Sequence, residues 1–110
     1  MSHREIEATR LSIYCMETSR YGSGSLTDWL IQLALEMELQ GATALRGVVG
    51  FGHHHRLHHQ HLLDLSCDLP MVVEIIDTPA QIEAFLAKAA AALAICTYTL
   101  ERVLWHQPTP

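Results

Sequence analysis

The chain has 110 residues, the size of one domain with no room for a second core. Nearly half of them are apolar (49%) and 17% are charged, enough apolar surface for a packed interior. The net charge of −5 argues against a nucleic-acid surface, which needs a basic patch to neutralise phosphates. Eight histidines make that charge sensitive to mild acid: protonating all of them would turn −5 into +3. Cys15, Cys67 and Cys96 are odd in number and show no C-x-x-C spacing, which reads as reduced thiols in a cytosolic protein. The start, MSHREIEATR, lacks a signal-peptide core, and no apolar run approaches a membrane span. The expectation is a soluble, cytoplasmic protein without direct membrane insertion.

Along the chain, Leu11, Ile13 and Cys15 alternate with Arg10, Ser12 and Tyr14, the period of a strand. Residues 17–24 read as a turn-rich loop. Ser25 follows as a helix N-cap with Asp28 three residues on, and Leu26, Leu30, Leu33 and Met37 recur at helical spacing beside Trp29. Gly41 is the expected helix stop. Residues 42–49 read as a second strand, closed by Gly50-Phe51-Gly52, and residues 71–77 as a third. Thr78 as N-cap, Pro79 at the first helical position and Gln81 at the box position open a second helix. Its buried stripe is Ile82, Phe85, Leu86, Ala89 and Leu93. Cys96, Tyr98 and Leu100 alternate as a fourth strand, and a tail from about 105 to 110, marked by Pro108 and Pro110, is expected to fray.

The order βαββαβ predicts an α+β, ferredoxin-like fold with a four-stranded antiparallel sheet, strands one and three central, and two helices on one face. The third strand carries a further message. Val73 and Ile75 point one way while Val72 and Ile76 point the other, flanking Glu74. With helices on one face only, apolar residues on both faces call for a second cover, and a further copy of the chain is the economical one.

Three stretches together resemble a known family. They are Ile13-Tyr14 through Gly22 and Leu26; Gly41-Ala42-Thr43-Ala44-Leu45-Arg46-Gly47 with Gly50-Phe51-Gly52; and the run from Asp68-Leu69-Pro70 to Asp77. The second is similar to the strand that enters the T-loop of PII signalling proteins. The whole resembles the PII-like family catalogued as a domain of unknown function, number 190, over about residues 11 to 104. That resemblance implies a single PII-like domain over 1–110 with a T-loop-like segment at about 50–66. It also implies a homotrimer with inward-facing sheets, and small-molecule clefts between subunits in which PII relatives bind adenine nucleotides. Carried over by position, Gly50, Phe51, Gly52 and His53 would lie near the ligand. Glycines there would let backbone N–H groups approach an anion. The flanking Arg46 and Arg56 could pair with phosphate. A salt bridge is the competing role for each arginine. One departure stands out. PII proteins carry a second glycine-rich, lysine-containing loop after the second helix, whereas residues 87–95 here contain no glycine and only Lys88.

Between His53 and His61 there are six histidines in nine residues. Extended, His53 and His55 share a side, as do His59 and His61. In a helix, His54/His58 and His55/His59 are i,i+4 pairs. Either geometry could hold Zn²⁺ or Ni²⁺ through imidazole, and a solvated histidine-rich loop is the plain alternative. There is no G-x-S-x-G, H-E-x-x-H or P-loop, so no enzyme is expected. The sequence therefore reads as a PII-like trimeric regulatory protein. It would sense a small molecule, such as an adenine nucleotide, and present the histidine-rich loop to a regulated protein partner. The alternative is a CutA-like metal-responsive trimer using His53, His55, His59 and His61.

Overall fold

The computed structural model describes residues 2–51, 57–59 and 68–110. In chain order these form β1 (His3–Met16), β2 (Arg20–Tyr21), β3 (Gly24–Ser25), α1 (Leu26–Glu36), β4 (Ala42–Arg46), β5 (Val49–Gly50), β6 (His58–His59), β7 (Pro70–Asp77), α2 (Pro79–Leu93) and β8 (Thr97–Pro108). The long strands make one antiparallel sheet in the order β4-β7-β1-β8, so the two strands expected at the centre are there. The short ones pair as β2-β3 and β5-β6. The fold is α+β and ferredoxin-like.

The alternation of β1 sets the core. Leu11 lies opposite Ile75 on β7 and Leu100 on β8, and Ile13 lies opposite Val73 and Tyr98. Leu11, Ile13, Val73 and Ile75 are wholly buried under Leu26 and Leu30 of α1 and Ile82, Phe85 and Ala89 of α2. Each large apolar side chain so buried contributes about 1.5–3 kcal/mol. Tyr98 and Leu100 share this face but stay about half exposed, because β8 is an edge strand reaching past the helices.

Both helix starts form as their sequence signals indicate. The Ser25 hydroxyl accepts from the Asp28 N–H at 3.2 Å, and Thr78 Oγ1 accepts from the Gln81 N–H at 3.3 Å, with Pro79 opening α2. The end of α1 differs from expectation. Gly41 is not the terminator; Glu38 is, at φ 58°. Glu38 N–H donates to the Leu35 carbonyl and Leu39 N–H to the Ala34 carbonyl, both at 3.0 Å, which closes a Schellman motif on a residue that carries a Cβ.

The strands differ from the sequence reading in length. The second strand ends at Arg46: Gly47 N–H still donates in register to the Pro70 carbonyl, but proline has no N–H to return, and pairing resumes as β5. β1 begins eight residues before Leu11, and β8 continues through the residues expected to fray. Their far halves pair with each other from His3↔Pro108 onward, and Thr109 N–H donates to the Ser2 carbonyl at 3.2 Å. Opposite the helices, the sheet presents Val72 and Ile76, both half-buried, with Tyr14 and Leu45 exposed. Among them Arg10 pairs with Glu101 at 2.7 Å.

A left-handed conformation costs an L-residue roughly 1–2 kcal/mol, against roughly 0.5–1 kcal/mol for ordering a glycine. Glu38→Gly should therefore raise stability by about 0.5–1 kcal/mol. The check is the urea midpoint at fixed protein concentration; an unchanged or lower midpoint would contradict this account of the helix end.

Candidate functional site

Three chain segments meet at one end of the sheet: the exit of β1, the exit of β4 and the entry to β7. Backbone groups of all three are tied together by hydrogen bonds. Glu17 N–H donates to the Leu69 carbonyl and Gly47 N–H to the Pro70 carbonyl, each at 2.8 Å. Thr18 donates twice to the Asp68 carboxylate, from its N–H at 3.1 Å and its hydroxyl at 2.6 Å. Bonds to an ionised acceptor are the stronger kind. Ser19 completes the turn, its hydroxyl accepting from the Met16 N–H and its carbonyl from the Leu26 N–H, which ties the junction to the start of α1.

Glycine is needed here for space. A Cβ on Gly47 would lie 2.8 Å from Pro70 Cγ and 3.4 Å from the Pro70 carbonyl oxygen, and one on Gly50 would lie 3.3 Å from Pro70 Cγ. Over this packed floor stands Arg46, whose Nε is 2.7 Å from Glu17 Oε2. Its side chain is 60% exposed, so the pair is worth only about 0–1 kcal/mol and orients the guanidinium more than it holds it. An anion arriving at this edge could displace Glu17 and take a charge-assisted bond in its place.

Of the residues singled out in the sequence, Arg46 and Gly50 come together at this junction. Gly50 sits in β5 opposite His58, and Phe51 follows it, 66% exposed. His59 lies on β6 opposite Val49. Gly52, His53, His55, Arg56 and His61 lie outside the described residues, and with them three of the four candidate metal ligands. Among the described residues no group of three or more His, Cys, Asp and Glu could hold a metal ion. Arg46 has the salt bridge that was its competing role. In the first loop, Arg20 bonds the Ser23 carbonyl at 2.7 Å, and Tyr21 meets Trp29 edge-on with ring centroids 4.7 Å apart. Thr18, Gly47 and Asp68 were not singled out. The signal for Gly47 lay in the sequence, a glycine interrupting a strand pattern. The Thr18–Asp68 link spans fifty residues and leaves no local trace.

The fold and this junction define a protein with the PII-like form of the ferredoxin-like fold. CPII from Thiomonas intermedia K12, a structure bound to ADP and bicarbonate, superposes with a TM-score of 0.67 at 13% identity, covering 93% of this chain and 91% of that one. A putative PII-like signalling protein from Thermus thermophilus superposes at 0.65 and 11% identity, covering 92% and 91%. CutA from Synechococcus elongatus PCC7942 gives 0.58 at 11% identity, covering 94% and 83%. In sequence, the chain belongs to the DUF190 family, described as an uncharacterised ACR, which it matches over residues 8–105. A UPF0166 protein from Aquifex aeolicus (strain VF5) is 32% identical over 83 residues, 76% of this chain and 79% of that protein. No helix among the described residues is long and apolar enough to cross a membrane.

Gly47→Ala should destabilise the protein by about 1–3 kcal/mol, because the rigid Pro70 ring cannot swing away from the added methyl. Gly41→Ala meets no atom within 4 Å and serves as the control. Its expected effect is a gain of no more than about 1 kcal/mol, from the stiffer unfolded chain. Equal denaturation midpoints for the two variants would show that the Gly47–Pro70 approach is not limiting.

Proposed function

We propose that this protein is a homotrimeric regulatory sensor that takes an adenine nucleotide in clefts between its subunits. Arg46 and the Gly50–Phe51 segment supply the anion-binding edge, with Gly52, His53 and Arg56 continuing it. The observation that carries this reading is Arg46 itself: a largely exposed guanidinium, weakly tethered by Glu17, at the rim of a glycine-lined junction. The fold shared with CPII, solved with ADP, supports the choice of ligand class. The segment that follows Phe51 would then be offered to a partner protein when the ligand binds, a common way of coupling a small molecule to an assembly. Nothing in this mechanism requires bond-making chemistry, so the role is regulatory rather than catalytic.

The uncovered sheet face supports the trimer. Val72, between Tyr14 and Leu45, and Ile76, opposite Arg10, are half-buried on a face that no helix among the described residues covers. Arg10 Nε is shielded from water without a hydrogen-bond partner among the described residues. A neighbouring subunit would bury the first group and offer an acceptor to the second.

A second reading is a metal-responsive trimer like CutA. What favours it is the run of histidines, of which His53, His55, His59 and His61 are the ligand set to test.

Calorimetry with ADP and AMP separates the two. Under the first reading the parent binds, and Arg46→Ala loses about 10- to 100-fold in affinity, the worth of one hydrogen bond to a charged group. Absence of nucleotide binding by the parent, with Zn²⁺ binding lost on replacing the four histidines by alanine, would favour the second. Light scattering tests the assembly on its own. The parent should be a trimer at micromolar concentration. Ile76→Asp should shift it towards monomer while circular dichroism stays native, since a buried unpaired charge is costly. A monomeric parent would overturn the inward-facing sheet.

A further inference from the structure

The β1–β8 ladder pairs residues whose numbers fall in strict antiparallel register, ending at Tyr14↔Thr97. Continued one step past its last pair, that register would bring Cys96, the residue before β8, opposite Cys15. Residues opposite one another in an antiparallel pair have Cα atoms about 4.5–5.5 Å apart and side chains on the same face. A disulfide accepts Cα separations of about 4.4–6.8 Å. Both side chains pack against the core cluster, and both are half-buried free thiols. On its other flank Cys15 faces Met71, so among the described residues Cys96 is the thiol that the sheet delivers to it.

Neither sulfur is held firmly. Cys15 Sγ lies 3.7 Å from Thr27 Oγ1 and Cys96 Sγ lies 3.9 Å from the Ala92 carbonyl oxygen, weak contacts that cost little to give up. Burial pushes both thiols up, and for Cys96 the neighbouring Cys15 adds to the effect, as two close acidic groups must. Thiols of this kind resist indiscriminate oxidation and react slowly until one ionises.

We propose that Cys15 and Cys96 form a reversible cross-strand dithiol–disulfide pair that staples the exit of β1 to the entry of β8. The co-reactant is a low-molecular-weight disulfide such as oxidised glutathione. One cysteine thiolate attacks a sulfur of that disulfide and expels one thiol, forming a mixed disulfide. The second cysteine then attacks the protein sulfur and expels the other thiol. The sum is one S–S bond formed and one broken, with the protein losing two electrons and two protons to the reagent. The staple lies one residue from Met16 and two from Glu17, so it would stiffen the strand end from which Glu17 reaches Arg46 and Thr18 reaches Asp68.

The test uses the full chain carrying Cys67→Ser, which removes the third thiol. The folded protein is incubated with oxidised glutathione, quenched in acid, and examined by intact mass and non-reducing peptide mapping. The expected product is about 2 Da lighter, with a Cys15–Cys96 cross-linked peptide that dithiothreitol reverses. Adding Cys15→Ser or, separately, Cys96→Ala should convert this product into a single glutathione adduct on the remaining cysteine. Two glutathione adducts on one chain, or two unreacted thiols after the reagent has equilibrated, would overturn the pairing. So would a cross-link that forms between chains.

Discussion

The central strand constrains everything else in this molecule. β1 is bonded on both sides, and its two neighbours keep the same register over the residues that matter, so Leu11 and Ile13 each meet an apolar partner to the left and to the right. A slip of one residue on either side would turn every side chain of the slipped strand to the other face. A slip of β7 would take Val73 and Ile75 out of the space beneath Phe85 and Leu30, and one of β8 would turn Tyr98 and Leu100 away. The helices bury their apolar stripes against these residues and against each other, so the register of the central strand helps decide where both of them sit. It also decides where the three loops at the far end of the sheet converge, because each is only one to three residues beyond a registered pair.

That convergence turns a packing constraint into a candidate site. Pro70 is fixed as the first residue of β7, opposite Met16. With its carbonyl bonded to Gly47 and its ring against Gly47 and Gly50, the chain leaving β4 can come this close only without side chains at those two positions. The glycines that a nucleotide-binding reading invokes for access to an anion thus have a second reason to be glycine. The two reasons are separable, since packing constrains the face towards Pro70 and binding the face towards solvent. Arg46 stands on the solvent side, paired with Glu17, and under the function proposed above an incoming phosphate would compete with that carboxylate.

Much of this was legible in the sequence because it is local. Ser25 and Thr78 begin helices, Leu11 to Cys15 alternate, and residues 82–93 carry an apolar stripe; each signal acts within a few residues and each element formed. What was not legible depends on partners far along the chain. The continuation of β8 to Pro108 relies on residues 3–9, a polar stretch whose pairing is non-local, and a proline at the end of an edge strand sacrifices no necessary bond. The turn at Glu38 lacked the glycine that would have announced it, because two hydrogen bonds and the burial of α1 outweigh the strain of one left-handed residue. At the site, the glycines and Arg46 could be read, but the Thr18–Asp68 clamp could not.

The sheet face away from the helices brings the remaining features together. Arg10, raised above its ordinary pKa first by its hydrogen bond to Glu101 and then by that carboxylate's charge, is also drawn towards Glu74 across the ladder. Glu101 therefore holds this guanidinium, with Glu74 a second carboxylate on the same face amid Val72 and Ile76, a face that is neither a clean apolar core nor an ordinary solvated surface. In an isolated subunit such charges are merely solvated. Against further copies of the same face around a threefold axis, the identical groups would approach one another, and an unmatched carboxylate near the axis would be repelled by its own images. In the trimer proposed above, an acceptor from a neighbouring chain would give the shielded Arg10 Nε a partner while Glu101 keeps its bond to the same guanidinium. The polar residues on this face would then fix how the copies are rotated, while the apolar ones drive them together.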